Sequence, residues 1–210
     1  MAKLTVYGTP LSTYVRTVRL LLEAAGADYD LKTVNIFKGE NNAAEYLAKN
    51  PFGKIPTLEV EGNLIYETPA ITSYLDQTVA GNQFTPSDPL LQARMRQIMS
   101  IIDSYFYPAA IPSIVIQRLI VPSQGGQPNE EKIKAAVAPA KTAIEAIESL
   151  TVGSPYLLGS EVSIADFYLI PIFIYLAKTL EFSTIVAQTP KLQIWWEAVS
   201  QLPNVKKVCA

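Results

Sequence analysis

The chain has 210 residues, of which 49% are apolar and 17% charged, so it can fill a core of ordinary size and is not a disordered polypeptide. Its net charge of −2, with no basic stripe, argues against nucleic acid as a partner. It contains no histidine and one cysteine, Cys209, which excludes histidine-dependent hydrolysis, His- or Cys-rich metal sites and a disulfide framework.

The beginning of the chain predicts a βαβ unit. Residues 4–7 form a strand-like run, Ser12 opens a helix with apolar residues at helical spacing, and Gly26 ends that helix. Residues 29–36 alternate and are rich in β-branched side chains, which indicates a second strand. A strand–helix–strand sequence of this length predicts that the two strands are parallel.

A β-hairpin and a third helix follow. Residues 44–48 predict a short helix, and the alternating runs 57–61 and 64–67 predict two antiparallel strands joined by Gly62-Asn63. Thr68 and Pro69 are typical of the start of a helix, which we expect to end near residue 78. Residues 1–78 therefore predict the order β-α-β-α-β-β-α.

The remainder of the chain predicts helices only. Residues 79–89 form a linker, and residues 90–210 form an all-α domain. Its predicted helices cover 90–117, bent by Pro108 and Pro112, then a helix capped by Asn129 and kinked at Pro139, and an amphipathic helix over 192–202. Between the last two, Ser163-Ile164-Ala165-Asp166 has the spacing of a capping box before a helix that is apolar nearly all round, which we expect at the centre of the domain.

No segment predicts a membrane span. The longest apolar run, residues 167–177, is shorter than the roughly 20 residues that cross a bilayer, and the N-terminus reads as a strand. We therefore expect a cytoplasmic protein.

The segment Asn50-Pro51-Phe52-Gly53-Lys54-Ile55-Pro56-Thr57-Leu58 has two interpretations. Pro51 and Gly53 break the preceding helix, and Pro56 comes directly before the third strand. Pro56 is either a trans proline in a turn, or it follows a cis bond that turns the main chain of Ile55 outward to pair with a ligand.

The order of elements, together with four spaced motifs, resembles the glutathione transferases. Glu40 with the segment 50–56 is similar to the family's cis-proline region, and residues 66–71 (YETPAI) resemble its FESRAI segment. Ser163–Asp166 resembles the capping box of its core helix, and residues 193–196 (QIWW) resemble its AWWE helix. The likeness covers the whole chain and is nearest to the serine-type, phi-like and bacterial members. It implies a thioredoxin-like N-terminal domain followed by a helical domain.

The resemblance implies that the chain activates the thiol of glutathione, with no metal, and that Ser12 is the catalytic hydroxyl. Local sequence alone favours a different role, because a serine before a helix is usually an N-cap. Thr13 is the adjacent alternative hydroxyl, and Tyr7 is the competitor from tyrosine-type classes, although it is better explained as a core aromatic.

The resemblance also implies a set of glutathione-binding residues. Ile55, before Pro56, pairs its main chain with the cysteinyl part, Glu67 and Thr68 bind the γ-glutamyl end, and Lys54 can reach the glycine carboxylate. Ser12, Thr13 and Asn41 complete the set. The chain departs from the family where Asn41-Asn42 replaces His-Lys after Glu40, and where Pro69 replaces an arginine. Two neutral amides in place of two cationic donors predict weaker or altered binding of glutathione.

Electrophile binding and dimerisation are further expectations. The predicted pocket for small hydrophobic electrophiles consists of Leu11, Tyr105, Phe106, Tyr107, Ile111 and Ile114, although such a stripe is more often core. Phe52 is expected at the interface of a homodimer, as in related proteins. Arg16, four residues after Ser12, either supports the site or lies on the helix surface.

Three functions are consistent with these residues. The first is a transferase that conjugates glutathione to electrophiles in detoxification, or reduces hydroperoxides with the same thiolate. The second is a non-catalytic interaction module of the same fold, which the missing His-Lys pair favours. The third is a ligand carrier. Ser12, the pair Ile55-Pro56 and the pair Glu67-Thr68 favour the enzyme.

Overall fold

The computed structural model describes residues 3–210, which divide into two compact units. The N-terminal unit comprises the chain up to Phe84 together with Pro203–Ala210, and the helical unit comprises Thr85–Leu202. The end of the chain thus differs from the predicted division, which assigned all of 90–210 to the helical domain.

The N-terminal unit has the predicted order of elements. They are β1 (Leu4–Tyr7), α1 (Thr13–Ala24), β2 (Asp30–Lys32), α2 (Ala44–Leu47), β3 (Thr57–Val60), β4 (Asn63–Tyr66) and α3 (Thr68–Thr78). β2 is shorter than the predicted strand 29–36, because the Asn35 side chain accepts hydrogen bonds from the N–H groups of Phe37 and Lys38 and starts a 3-10 turn there.

The four strands form one mixed sheet in the order β2-β1-β3-β4. β1 and β2 are parallel, which confirms the βαβ prediction, and β3 is antiparallel to both β1 and β4. The predicted hairpin between β3 and β4 is also present. Its turn residues are Glu61 and Gly62, both with positive φ, one position earlier than the predicted Gly62-Asn63.

The helical unit is built from five helices. They are α4 (Pro89–Ser123), α5 (Glu130–Leu150), α6 (Ile164–Leu176), α7 (Phe182–Ile185) and α8 (Pro190–Val199). α4 continues through Pro108 and Pro112, so that the predicted segment 90–117 is one helix, and it contains two π-helical stretches, Ile102–Phe106 and Ile111–Ile120. By length and composition α4 is the one helix within residues 3–210 that could span a membrane, but half of its most apolar window is buried, as in the core helix of a packed protein.

The helix α9 (Pro203–Cys209) returns to the N-terminal unit and was not predicted. It lies on α1, where the Asn204 side-chain amide donates to the carbonyl of Leu20 at 3.2 Å and Lys207 pairs with Glu23 at 2.6 Å. These long-range contacts, together with the burial of Val205, Val208 and Cys209, explain why this short segment is helical here.

Asp166 fixes the start of α6, the buried central helix of the helical unit. Its carboxylate accepts from the N–H and hydroxyl of Ser163 at 2.8 and 2.7 Å, which confirms the capping box. It also accepts from the N–H of Leu157 at 3.0 Å and the indole N–H of Trp195 at 2.8 Å. Burial raises the pKa of Asp166, while these four donors lower it.

We expect Asp166→Ala to destabilise the protein by about 3 kcal/mol or more, because four buried donors would lose their acceptor. Denaturant unfolding followed by circular dichroism measures this. Glu197→Ala, an exposed acidic residue on α8, is the matched control and should change stability by less than about 0.5 kcal/mol. Equal effects of the two substitutions would contradict the role assigned to Asp166.

Candidate functional site

The strand register brings the predicted glutathione-binding segments to one edge of the sheet. Tyr7 pairs with Thr57, and Thr57 pairs with Tyr66. β1 therefore ends, β3 begins and β4 ends at the same edge, so that three connecting segments leave the sheet side by side. Strands are spaced by about 4.8 Å, so these segments lie within about 10 Å of one another, which suits an extended tripeptide.

Ser12 is the N-cap of α1, in the first of these segments. Its side-chain oxygen accepts from the N–H of Val15 at 3.4 Å, and its carbonyl accepts from the N–H of Arg16 at 2.9 Å. Capping uses the oxygen as an acceptor and leaves the hydroxyl proton available for donation. The N-cap and the thiol donor are therefore compatible roles for the half-buried Ser12.

The loop before Ser12 is held close to α1. A Cβ on Gly8 would lie 2.4 Å from the Val15 side chain, so only glycine permits this approach. The Arg16 side chain is buried, with 4% exposure, and its Nε donates to the carbonyl of Pro10 at 2.9 Å. Arg16 thus does not lie on the helix surface, which was one of its two predicted positions. It supports the loop that carries Ser12.

Ile55 and Pro56 occupy the second segment, directly before β3. The Ile55–Pro56 peptide bond is cis, Pro56 is buried and Ile55 is half-buried against Tyr7, Val34 and Tyr46. Within residues 3–210, the N–H and C=O of Ile55 make no hydrogen bond. Both groups are therefore available for pairing with a peptide ligand in β fashion.

Glu67 and Thr68 form the third segment, at the end of β4. Glu67 is exposed and has a φ of 69°, which is uncommon for a residue other than glycine and is typical of functional positions. Thr68 is the first residue of α3, whose N-terminus favours a carboxylate ligand. Pro69, the second residue, fits this first turn without strain.

Asn41 is close to the second segment, but its amide is already in use. Its Nδ2 donates to the carbonyl of Gly53 at 2.9 Å and to the Asn42 side chain at 3.4 Å. Its Oδ1 is buried without a hydrogen-bond partner among the described residues. Asn41 thus has no spare donor for a carboxylate, whereas Lys54, whose side chain is exposed, supplies a cation next to Ile55.

Tyr7 is buried and its hydroxyl is occupied. It donates to the Glu59 carboxylate at 2.5 Å and accepts from Lys32 at 3.3 Å, and Lys49 lies 5.0 Å from its ring centroid. The hydrogen bond that the Tyr7 hydroxyl donates lowers the pKa of Glu59. Thr13 is also buried, as the first residue of α1.

Tyr7→Phe should raise the pKa of Glu59 toward its ordinary value, because the carboxylate loses the donor that stabilises it. A carboxyl pKa that is lowered in the folded state adds stability above the ordinary pKa, and this stability is lost as the pH falls. The variant should therefore lose less stability on acidification than wild type. An NMR titration of Glu59 measures the shift, and an unchanged pKa would contradict the assignment.

The residues of the predicted electrophile pocket do not share one environment. Phe106, Ile111 and Ile114 are buried in the helical unit with 0%, 8% and 0% exposure. Tyr107 is half-buried, and Tyr105, with 65% exposure, lines a groove between α4 and α5. Leu11, in the N-terminal unit, is 57% exposed and directly precedes Ser12.

Sequence reasoning did not identify the residues whose side chains hold the main chain next to Ile55. Tyr46 and Asn50 both donate to the carbonyl of Lys54, at 2.6 and 2.9 Å. The only available signal was the position of both residues shortly before the Pro-Gly turn.

Among residues 3–210, no group of three or more potential metal ligands lies together.

Comparisons of sequence identify the class of protein to which this fold and site belong. Residues 2–77 match the family description "Glutathione S-transferase, N-terminal domain", and residues 123–210 match "Glutathione S-transferase, C-terminal domain". The probable glutathione S-transferase GSTF1 of Oryza sativa subsp. japonica is 30% identical, over 100% of this chain and 97% of that protein. Glutathione S-transferase F13 of Arabidopsis thaliana is 26% identical, over 97% and 93%.

Solved structures agree with this assignment. Glutathione transferase F7 from Populus trichocarpa superposes with a TM-score of 0.86 and 32% identity, over 98% of this chain and 97% of that chain. A glutathione S-transferase-I bound with lactoylglutathione gives 0.85 and 25%, over 99% of both chains. The chain belongs to the glutathione S-transferases, a family of transferases, and its relatives are of the serine-type plant phi class.

Proposed function

We propose that Ser12 activates glutathione by donating its hydroxyl hydrogen bond to the sulfur, so that the bound thiol becomes a thiolate. The hydroxyl proton is not used by the capping contact to Val15, and Ser12 lies at the positive end of α1. The free hydroxyl proton of Ser12 at a helix N-terminus is the observation that carries the proposal.

The size of this effect is adequate for the task. A free thiol has a pKa near 8.5, so only a small fraction is ionised at neutral pH. A hydrogen bond to a charged group contributes about 1.5–3 kcal/mol, which corresponds to a lowering of roughly one to two pKa units. The Ser12 hydroxyl alone can therefore lower the pKa of the thiol to near neutral pH, without a histidine or a metal.

Glutathione binds along the edge of the sheet in the N-terminal unit. Ile55 pairs its main chain with the cysteinyl residue, the N–H of Thr68 binds the γ-glutamyl carboxylate, and Glu67 pairs with the ammonium. Lys54 binds the glycine carboxylate, since the Asn41 amide donates to Gly53. The structure of a maize relative in complex with an atrazine glutathione conjugate, 25% identical, supports this class of ligand.

The thiolate attacks the carbon of a small hydrophobic electrophile, where a C–S bond forms and the leaving group departs with its electron pair. With a hydroperoxide, the thiolate attacks the terminal oxygen and the O–O bond breaks, so that a sulfenic acid forms and the departing alkoxide takes a proton from water to give an alcohol. A second glutathione then gives the disulfide and water. For electrophile binding we retain Leu11, which is exposed and directly precedes Ser12 in the N-terminal unit. We place this detoxification activity in the cytoplasm.

We expect Ser12→Ala to bind glutathione in calorimetry but to lose most of its rate of conjugation of chlorodinitrobenzene, about 10- to 100-fold at neutral pH. The loss should shrink at high pH, where the thiol ionises without help. Tyr7→Phe is the matched control, because it deletes a hydroxyl that the structure engages with Glu59, and it should retain turnover.

Two results would overturn the proposal. If Ser12→Ala turns over as wild type does, Ser12 is only an N-cap. If wild type neither binds glutathione nor turns over, the protein is a non-catalytic interaction module or a carrier, an outcome that the engaged amide of Asn41 favours.

The same proposal includes a homodimer with Phe52 at the interface. Phe52 is 66% exposed, beside the cis-proline segment and in edge contact with Tyr66. The helical unit carries a mostly apolar groove of about 780 Å³ between α4 and α5, lined by residues that include Tyr105, Ala135 and Pro139. An exposed aromatic side chain and an apolar groove favour insertion of Phe52 of one copy into the groove of another.

Phe52→Ala should shift the protein from dimer to monomer in sedimentation equilibrium, because the anchoring side chain is lost. Ala135→Trp, which fills the groove from an exposed position, should have the same effect. Phe37→Ala removes another exposed phenylalanine of the N-terminal unit, with 62% exposure, and should leave the dimer intact. A monomeric wild type, or a dimeric Phe52→Ala, would contradict this interface.

A further inference from the structure

Two successive carbonyl groups before Ile55 are held by side chains from the preceding helix and loops. The carbonyl of Gly53 accepts from Asn41 Nδ2 at 2.9 Å. The carbonyl of Lys54 accepts from the Tyr46 hydroxyl at 2.6 Å and from Asn50 Nδ2 at 2.9 Å, which uses both of its lone pairs. We call these three side chains, Asn41, Tyr46 and Asn50, the carbonyl clamp.

Tyr46 is the buried centre of the carbonyl clamp. The residue is 5% exposed at the end of the short α2, and its hydroxyl also lies 3.0 Å from the Thr57 hydroxyl. It therefore contacts the chain on both sides of the pair Ile55-Pro56. Burial raises the pKa of Tyr46, so the hydroxyl remains a donor across the physiological range.

The planarity of the peptide bond transmits this contact to the site. The carbonyl of Lys54 and the N–H of Ile55 belong to one peptide group, and in a trans peptide they point in opposite directions. Because the carbonyl is directed at Tyr46 and Asn50, the N–H of Ile55 is directed away from them. That N–H is the one that has no hydrogen-bond partner within residues 3–210.

We propose that Tyr46 is a positioning residue for the thiol substrate, whose hydroxyl sets the Lys54–Ile55 peptide plane and so aims the Ile55 N–H at the cysteinyl carbonyl of glutathione. This rests on the proposed glutathione site. Tyr46 does not touch the reacting sulfur, so it governs the affinity for glutathione and leaves thiolate formation at Ser12 unchanged.

Tyr46→Phe removes only the hydroxyl and keeps the ring in the cluster with Tyr7 and Val34. We expect the Kd and KM for glutathione to rise about 5- to 10-fold, the loss of one well-aligned hydrogen bond, with kcat at saturating glutathione and its pH profile unchanged. Tyr29→Phe is the control. Its hydroxyl also makes two side-chain contacts in the same unit, with Arg19 and Glu23, yet lies outside the clamp.

A purely structural role gives a different result. Tyr46→Phe would then lower the melting temperature while the Kd and KM stay at wild-type values, and this overturns the proposal. The amide resonance of Ile55, followed by NMR in protein without thiol, tests the carbonyl clamp independently of glutathione binding. Tyr46→Phe should shift this resonance even if wild type binds no glutathione. In that case the proposed function would be wrong and the carbonyl clamp would stand. An undisplaced resonance refutes the clamp itself.

Discussion

The register of the sheet is the constraint on which the site depends. Because Tyr7 pairs with Thr57 and Thr57 with Tyr66, the end of β1, the start of β3 and the end of β4 meet at one edge. A shift of one residue would turn every side chain of a strand to the opposite face. The buried residues Val6, Leu58 and Val60 oppose such a shift, since it would move them from their shared apolar face to the face that carries Thr5 and Glu59. The apolar core thus fixes the relative positions of Ser12, Ile55 and Thr68.

The composition of the chain determines the chemistry that this edge can perform. With no histidine in the chain, the commonest general base of enzymes is not available. The groups at this edge that favour anions are the Ser12 hydroxyl, main-chain N–H groups and the N-termini of α1 and α3. Such groups stabilise a thiolate and a carboxylate without taking up a proton. They are suited to lowering the pKa of a bound thiol, with the nucleophile supplied by the co-substrate.

Much of the fold could be predicted from the sequence, because the elements carry local signals. Ser12, Asn129 and the pair Ser163–Asp166 are caps that act over three residues, and the structure confirms each of them. α9 could not be predicted, because the contacts of Asn204 and Lys207 with α1 span 184 residues. The shortening of β2 also depends on a competing turn, which the Asn35 side chain creates.

The candidate site shows the same division between local and long-range information. Ser12, Ile55, Glu67 and Thr68 lie in motifs, whereas the burial of Arg16 and its bond to Pro10 depend on how the loop folds back over α1. Tyr46 and Asn50 gave no signal beyond their position shortly before the Pro-Gly turn, because their function is to bind a main-chain carbonyl that any residue could supply. The role of Asn41 was likewise hidden, since its bond to Gly53 appears only in the folded loop.

The most direct test is the pKa of the glutathione thiol in the binary complex, followed by the ultraviolet absorbance of the thiolate as the pH is raised. Wild type should ionise bound glutathione at least one pH unit below the free thiol, whose pKa is about 8.5, and Ser12→Ala should return it close to that value. The same titration curve for both proteins would show that the Ser12 hydroxyl does not stabilise the thiolate.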